Sequence, residues 1–384
     1  MLKNSILALS LLGICLFSCK KDKDDPVAVS PDPEPTACVP VVETVNSDIT
    51  VPTVWRDCHV YVISVNQISV TSTLTIEAGA IVKFKAIAGD NAILVANSGK
   101  ILSMGTAAKP VVFTSFKDDS KGGDTNADGT TSTASRGDWG GIIMNSNTCE
   151  FTYTDFYFGG EGPFGGLDQP TLEFQYFTGK IDHCTFAYCG GETNYAGYGV
   201  VDARGCENNA FSIRNSTFYG CIKPLFLNPF ISVDNSNSFH NPNNAAETNQ
   251  LNGIFMASTS NEATTNVSWL ETEVPVVLTG STAVGDGLKI ILAENVIIKI
   301  ALLPAVGFNK ISIKNGISFI DGYNLSGVYF TSYNDDAHGG DTNGDGNSTL
   351  PATGDWYGIQ DLSGTLGTNN NCYNWSSILF ATYP

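Results

Sequence analysis

Arginine is nearly missing from this sequence: Arg56, Arg136, Arg204 and Arg214 are all there is. Lysine does not make up the difference, since 20 basic residues face 38 acidic ones and the formal net charge is -18. That balance argues against nucleic acid or an anionic lipid surface as a partner and suits divalent cations. Long apolar runs are also lacking. After residue 20 no stretch approaches the roughly 20 apolar residues that a spanning helix needs. No segment there shows a convincing amphipathic helical period either, so the body is expected to be all-β. No pair of cysteines has C-x-x-C spacing, and His183 is the one histidine near the cysteine-rich stretch, which argues against zinc. Nucleophile elbow, phosphate loop and metalloprotease motifs are likewise missing.

What is present begins with a leader. Lys3 gives a positive start, and Ile6 to Phe17 form an apolar run broken by Ser10 and Gly13. The run is too short to span a bilayer and suits export. It ends in Leu16-Phe17-Ser18-Cys19, which resembles a lipobox. The expectation is a signal peptide over 1–18 and acylation of Cys19, with several acyl chains holding the protein stably on a membrane. Residues 19–40 then read as a flexible tether, charged from Lys20 to Asp25 and proline-rich to Pro35. The charged cluster resembles the surface-export signal of Bacteroidetes lipoproteins. A solvated linker is the alternative. The expected location is the outer membrane, lipid-anchored and exposed at the cell surface.

Removing the leader leaves 366 residues, with eight cysteines beyond Cys19. Export permits disulfides. Cys38 and Cys58 flank the start of the folded region and are candidates to pair. Cys184, Cys189, Cys206 and Cys221 crowd one stretch, where buried free thiols are the other possibility.

The most informative feature is a duplication. Phe113–Ile142 and Phe330–Ile359 align without gaps, identical at seventeen of thirty positions. Upstream, Trp55, Val60 and Val62 match Trp269, Val274 and Val276, and Ile76–Phe84 matches Leu292–Ile300. The boundaries expected are a first cassette over 41–264 and a second, shorter one over 265–384. A shorter repeat lies between. Ile181 to Phe186 is followed by Cys189, Ile213 to Phe218 by Cys221, and a looser copy runs from Val233 through Asn235 to Phe239. A unit this short cannot bury its own apolar face and must stack on its neighbours, which is the logic of a β-solenoid. Ile181, Ile213 and Val233 should form one inward ladder, and Phe186, Phe218 and Phe239 another. Asn215 and Asn235 suit a left-handed turn position.

These residues resemble the right-handed parallel β-helix of pectate-lyase-like proteins. Leu74–Phe84, Ala108–Ser115 and the Gly-Asp-Trp-Gly-Gly-Ile segment resemble surface β-helix lipoproteins of Bacteroidetes. The resemblance covers most of residues 50–250 and the second cassette from about residue 268, and it implies fold more than activity. A β-sandwich pair is the alternative, because short strands and turns suit both.

Two acidic stretches carry the chemistry: Asp124, Asn126, Asp128 and Gly129, and Asp341, Asn343, Asp345 and Gly346. Alternating oxygen ligands closed by glycine match the first half of a calcium loop. Position twelve, where an EF-hand needs a bidentate glutamate, holds Ser135 or Ala352, and no flanking helices are evident. The remaining ligands are sought in Asp118 and Asp119, Asp335 and Asp336, or Asp138 and Asp355. Structural calcium is expected over magnesium, which seldom uses all-protein cages. A solvated Asp/Asn/Gly turn is the alternative. Trp139 and Trp356 should pack the loops onto the solenoid.

No catalytic set emerges. A lyase needs a base, yet Arg204, Arg214, Lys180 and Lys223 lie away from the acidic loops in sequence. A β-helix hydrolase needs carboxylates grouped on neighbouring coils. Asp182 and Asp234 are outward candidates, but the coil between them has no matching Asp. Polygalacturonase-like Gly-His-Gly and Arg-Ile-Lys segments are missing, and His183 reads as a turn residue. The reading is therefore a non-catalytic surface scaffold, adhesin or glycan-binding module, with polysaccharide or other surface proteins as partners. A polysaccharide lyase or glycoside hydrolase is the alternative. Aromatics between Phe151 and Tyr176 (Tyr153, Phe156, Tyr157, Phe158, Phe164, Phe174, Tyr176) are candidates for a sugar-binding face.

Overall fold

A computed structural model describes residues 38–86, 93–145, 149–160, 169–175, 178–190, 197–206, 211–257, 265–285, 287–301, 309–314, 319–364, 366 and 372–383. The leader with Cys19, most of the tether, Phe164 and Tyr176 lie outside the described residues. Val39–Pro384 form one compact unit. Its described part is strands and turns with no helix. Among the described residues the ladders between strands are parallel except in one hairpin, His240–Asn241 with Asn244–Thr248.

The strands stack into a right-handed parallel β-helix, the hand that parallel crossover connections adopt. One sheet has seven strands, from Val41–Val45 to Thr217–Tyr219. A second has six, from Thr53–Trp55 to Phe211–Arg214. A third has ten, from Gln67–Val70 to Tyr329–Ser332. Each strand is short because the chain must turn every few residues. Within a strand, alternate side chains point inward and outward, so one apolar residue in two suffices for the core.

The two inward ladders form over the first two short repeats, while Val233 of the third is buried and bridges to Trp269. Ile181 pairs with Ile213 and Phe186 with Phe218, all four buried. The phenylalanine column extends beyond the repeats, with rings stacked from Phe113 through Phe156, Phe186 and Phe218 to Phe239 at centroid spacings of 4.7 to 5.7 Å. Asn215 takes the left-handed turn with φ of 50°, as does His183 at 56°. Asn235 does not. There Asp234 Oδ1 accepts from the Ser236 amide, and this side-chain turn replaces the left-handed one.

Cysteine chemistry divides by position. Cys38 and Cys58 are disulfide-bonded. Cys149, Cys184, Cys189, Cys206 and Cys221 are buried and outside any disulfide. Cys184 Sγ donates to the Phe151 carbonyl on the neighbouring coil at 3.3 Å, and Cys221 Sγ to that of Phe186 at 3.4 Å.

The duplicated segments do not stack on the same face. Ile81–Phe84 and Val111–Ser115 belong to the seven-stranded sheet. Their counterparts, Ile297–Ile300 and Tyr329–Ser332, continue the ten-stranded sheet instead. The change occurs where the seven-stranded sheet ends. The chain passes from Val267–Trp269 to Val276–Leu278, and the latter pairs directly with Ile254–Met256. A new three-stranded sheet then opens at Thr282–Val284. The second copy is thus displaced by one face around the axis.

Candidate metal centres on two acidic loops

Each acidic loop leaves the solenoid at the same point of the duplicated frame. The first runs from Val111–Ser115 to Ile142–Met144, the second from Tyr329–Ser332 to Gly358–Asp361. Four of the candidate ligands serve the base of these loops. Thr114 Oγ1 donates to Asp118 at 2.7 Å and Thr331 Oγ1 to Asp335 at 2.5 Å. Asp118 also accepts from the Ser120 amide, and Asp335 from the Ala337 amide. At the return, Asp138 accepts from Ser115 Oγ at 2.8 Å, the Ser135 amide at 2.9 Å and Lys117 Nζ at 2.7 Å. Asp355 accepts from Ser332 Oγ and the Ala352 amide. Trp139 and Trp356 are fully buried beside them. Trp139 stacks on Phe84 at 4.2 Å and donates Nε1 to the Tyr157 carbonyl, while Trp356 donates to that of Leu379.

Beyond its base each loop folds back over the outer face of its own sheet. The backbone comes so close that a Cβ on Gly122 would lie 2.7 Å from Val60 Cγ2, and one on Gly339 2.5 Å from Pro275 Cγ. Under each loop sits a lysine that alternation sends outward. Lys83 and Lys299 are nevertheless fully buried. Lys83 Nζ donates to the Gly123 carbonyl at 2.7 Å and Thr125 Oγ1 at 3.0 Å. Lys299 Nζ makes the same two bonds, to the Gly340 carbonyl at 2.5 Å and Thr342 Oγ1 at 2.8 Å. Burial pulls the Lys299 ammonium down to about 8, with Asp336, Asp335 and Asp341 pulling the other way. Burial likewise lowers Lys83, against Asp118, Asp119 and Asp124.

The other acids converge above these lysines. Asp119, Asp124 and Asp128 each offer a carboxylate oxygen within 4.8 Å of the others, and Asp336, Asp341 and Asp345 do the same. Asp124 Oδ2 accepts from the Gly129 amide at 2.9 Å, and Asp341 Oδ2 from that of Gly346 at 2.8 Å, which curls the chain around the cluster. Gly129 and Gly346 take the left-handed backbone this requires, at φ of 69° and 61°. Asn126 and Asn343 donate Nδ2 to Asp128 and Asp345 at 3.0 and 3.1 Å. Burial and the neighbouring Asp341 push the Asp336 carboxyl up. Hydrogen bonding, led by the Thr349 hydroxyl, holds Asp345 down.

Several of these oxygens are buried without a hydrogen-bond partner: Asp119 Oδ1, Asn126 Oδ1 and Asp128 Oδ1 in one loop, both oxygens of Asp336 in the other. Buried unpartnered oxygens cost free energy unless something positive meets them. A hard cation accepting oxygen ligands fits this donor set, and calcium's flexible coordination fits it better than magnesium's strict octahedron.

The basic residues that a lyase would need are engaged elsewhere. Arg204 pairs with Asp202 at 2.8 Å, Arg214 lies 3.7 Å from Asp234, and Lys180 lies 3.4 Å from Asp182. Lys223 Nζ sits 4.6 Å from the ring centres of both Phe226 and Phe255. Of the aromatic stretch, Phe156 and Phe174 belong to the core, whereas Tyr153, Tyr157 and Phe158 are half-buried. Lys83 and Lys299 escaped the sequence reading. The signal was there in the aligned Ile-Val-Lys-Phe and Ile-Ile-Lys-Ile, where a lysine is kept between apolar neighbours in both copies.

Residues 47–161 match the family model of the pectate-lyase-like β-helix domain. The matched span takes in the strands from Thr53–Trp55 to Thr154–Tyr157 and the whole first acidic loop. Neither a curated protein nor a solved structure matches the chain.

Proposed function

We propose that this protein is a lipid-anchored surface β-helix that binds or displays rather than catalyses, with calcium holding its two acidic loops in shape. The observation that carries the reading is the convergence of Asp119, Asp124 and Asp128, and of Asp336, Asp341 and Asp345, with buried oxygens left unpartnered. Calcium neutralises those carboxylates and rigidifies loops that have no apolar core of their own. Cys19 is the acylated anchor and residues 19–40 the tether, and the charged run from Lys20 to Asp25, similar to a surface-export signal, supports the outer membrane's outer surface as the location. Polysaccharide or other surface proteins are the partners in view.

Calorimetric titration of the chain from residue 36 onward tests the metal reading. Two calcium sites are expected, and a flat trace at millimolar calcium would overturn it. Cys19→Ala should release the full chain from the membrane fraction, and continued fatty-acid labelling of that variant would defeat the anchor. The match to the pectate-lyase-like domain keeps a carbohydrate-active enzyme as the second reading. A glycan array followed by incubation with any bound glycan separates the two, since cleavage products would favour the enzyme.

A further inference from the structure

We infer that Lys83 and Lys299 tune the ion charge that each acidic loop accepts, biasing the loops against trivalent cations relative to divalent cations of the same size. The inference rests on the metal reading above. Each cluster brings three carboxylates. One buried ammonium lies beneath each, bonded to the loop at the residues flanking the first ligand: Gly123 and Thr125 around Asp124, Gly340 and Thr342 around Asp341. The fixed ammonium repels any cation held by the cluster, and it repels a trivalent ion half as much again as a divalent one. Asp118 and Asp335, which also face the lysines, stay hydrogen-bonded to Thr114 and Thr331 at the loop bases. The arrangement occurs twice, from lysines aligned in the duplication, with the same two acceptor types. An ordinary surface lysine would reach into solvent. These two are fully buried, so their charge is not screened by water.

The test compares affinities for calcium and terbium(III), ions of similar size and different charge, in the full chain. Lys83→Gln and Lys299→Gln remove the charge but keep a donor. Lys83→Arg and Lys299→Arg keep the charge but alter the fit. Loss of preorganisation weakens both ions together, so the ratio of affinities isolates the charge. The terbium-to-calcium ratio should rise roughly tenfold or more in the Gln variants, because the extra unit of ion charge no longer meets the ammonium's repulsion at an effective dielectric near 20. It should stay unchanged in the Arg variants. An unchanged ratio in Gln variants that still bind both ions would overturn the inference. So would Gln variants that unfold at both positions while the Arg variants fold, because the ammonium would then serve the solenoid and not the ion. Failure of the unaltered protein to bind either ion would instead overturn the metal reading.

Discussion

The rings of Phe186 and Phe218 lie 4.8 Å apart and within 2° of parallel, one coil above the other. Their backbones pair in parallel register, so the spacing of the sheet sets the spacing of the rings. Phe156 and Phe239 continue the stack on either side. Phe218→Ala would open a cavity in the middle of a fully buried column of stacked rings. It should cost about 3–5 kcal/mol, read as a shift in the denaturation midpoint. A loss below about 1 kcal/mol would mean the column is loosely packed.

Calcium binding to the folded state alone stabilises by about 2.7 kcal/mol at a hundredfold excess over Kd. Adding a chelator should therefore lower the melting temperature, and magnesium should restore it poorly. Asp124→Ala combined with Asp341→Ala should abolish the chelator effect, while either single variant should leave part of it. Melting that ignores chelator in the unaltered chain would reduce the loops to solvated turns.

The first loop carries a strained position that the second relieves. Ala127 has φ of 59°, a left-handed conformation that costs an alanine free energy, whereas the aligned residue Gly344 adopts 73° freely. Ala127→Gly should therefore stabilise the protein by about 0.5–1 kcal/mol, although glycine normally weakens a fold. Thermal denaturation with and without calcium measures it, and a loss of stability would show that the backbone there is relaxed.

Glu271 is fully buried beside the coil where the second copy changes face, and Oε2 has no hydrogen-bond partner. Burial pushes its carboxyl up to about 7, partly opposed by the amides of Glu273 and Thr272. A carboxyl whose folded value lies above its unfolded value of 4.5 keeps its proton longer in the folded state. Its contribution to stability is therefore greatest at low pH and falls as pH rises from about 4.5 to 7, then levels off. Glu271→Gln should gain up to about 3 kcal/mol over the unaltered chain at pH 8 and close to nothing at pH 4. A difference that does not change with pH would rule out this titration.

How much of this was readable in advance depended on what repeats at short range. Ile181 with Ile213 and Phe186 with Phe218 were legible, because coils of similar length put like residues in register. The acidic pairs were only half legible. Asp118 and Asp119 are neighbours of identical chemistry, and only the turn made by Thr114 and Ser120 decides which one faces the cluster. Lys83 looked like a solvent-facing residue, since alternation sends it outward and nothing local says that a loop from forty residues later will cover it. The displacement of the second copy was not legible at all. Aligned sequences suggest aligned stacking, and the face on which a coil lands depends on how many turns the preceding coil makes.

That displacement bears on valency. The first loop lies over the seven-stranded sheet and the second over the ten-stranded sheet, so the duplicated features point to different sides of the rod. One flat partner cannot lie against both at once. Two partners would have to approach from different directions to meet one loop each, and neither would compete for the other's face.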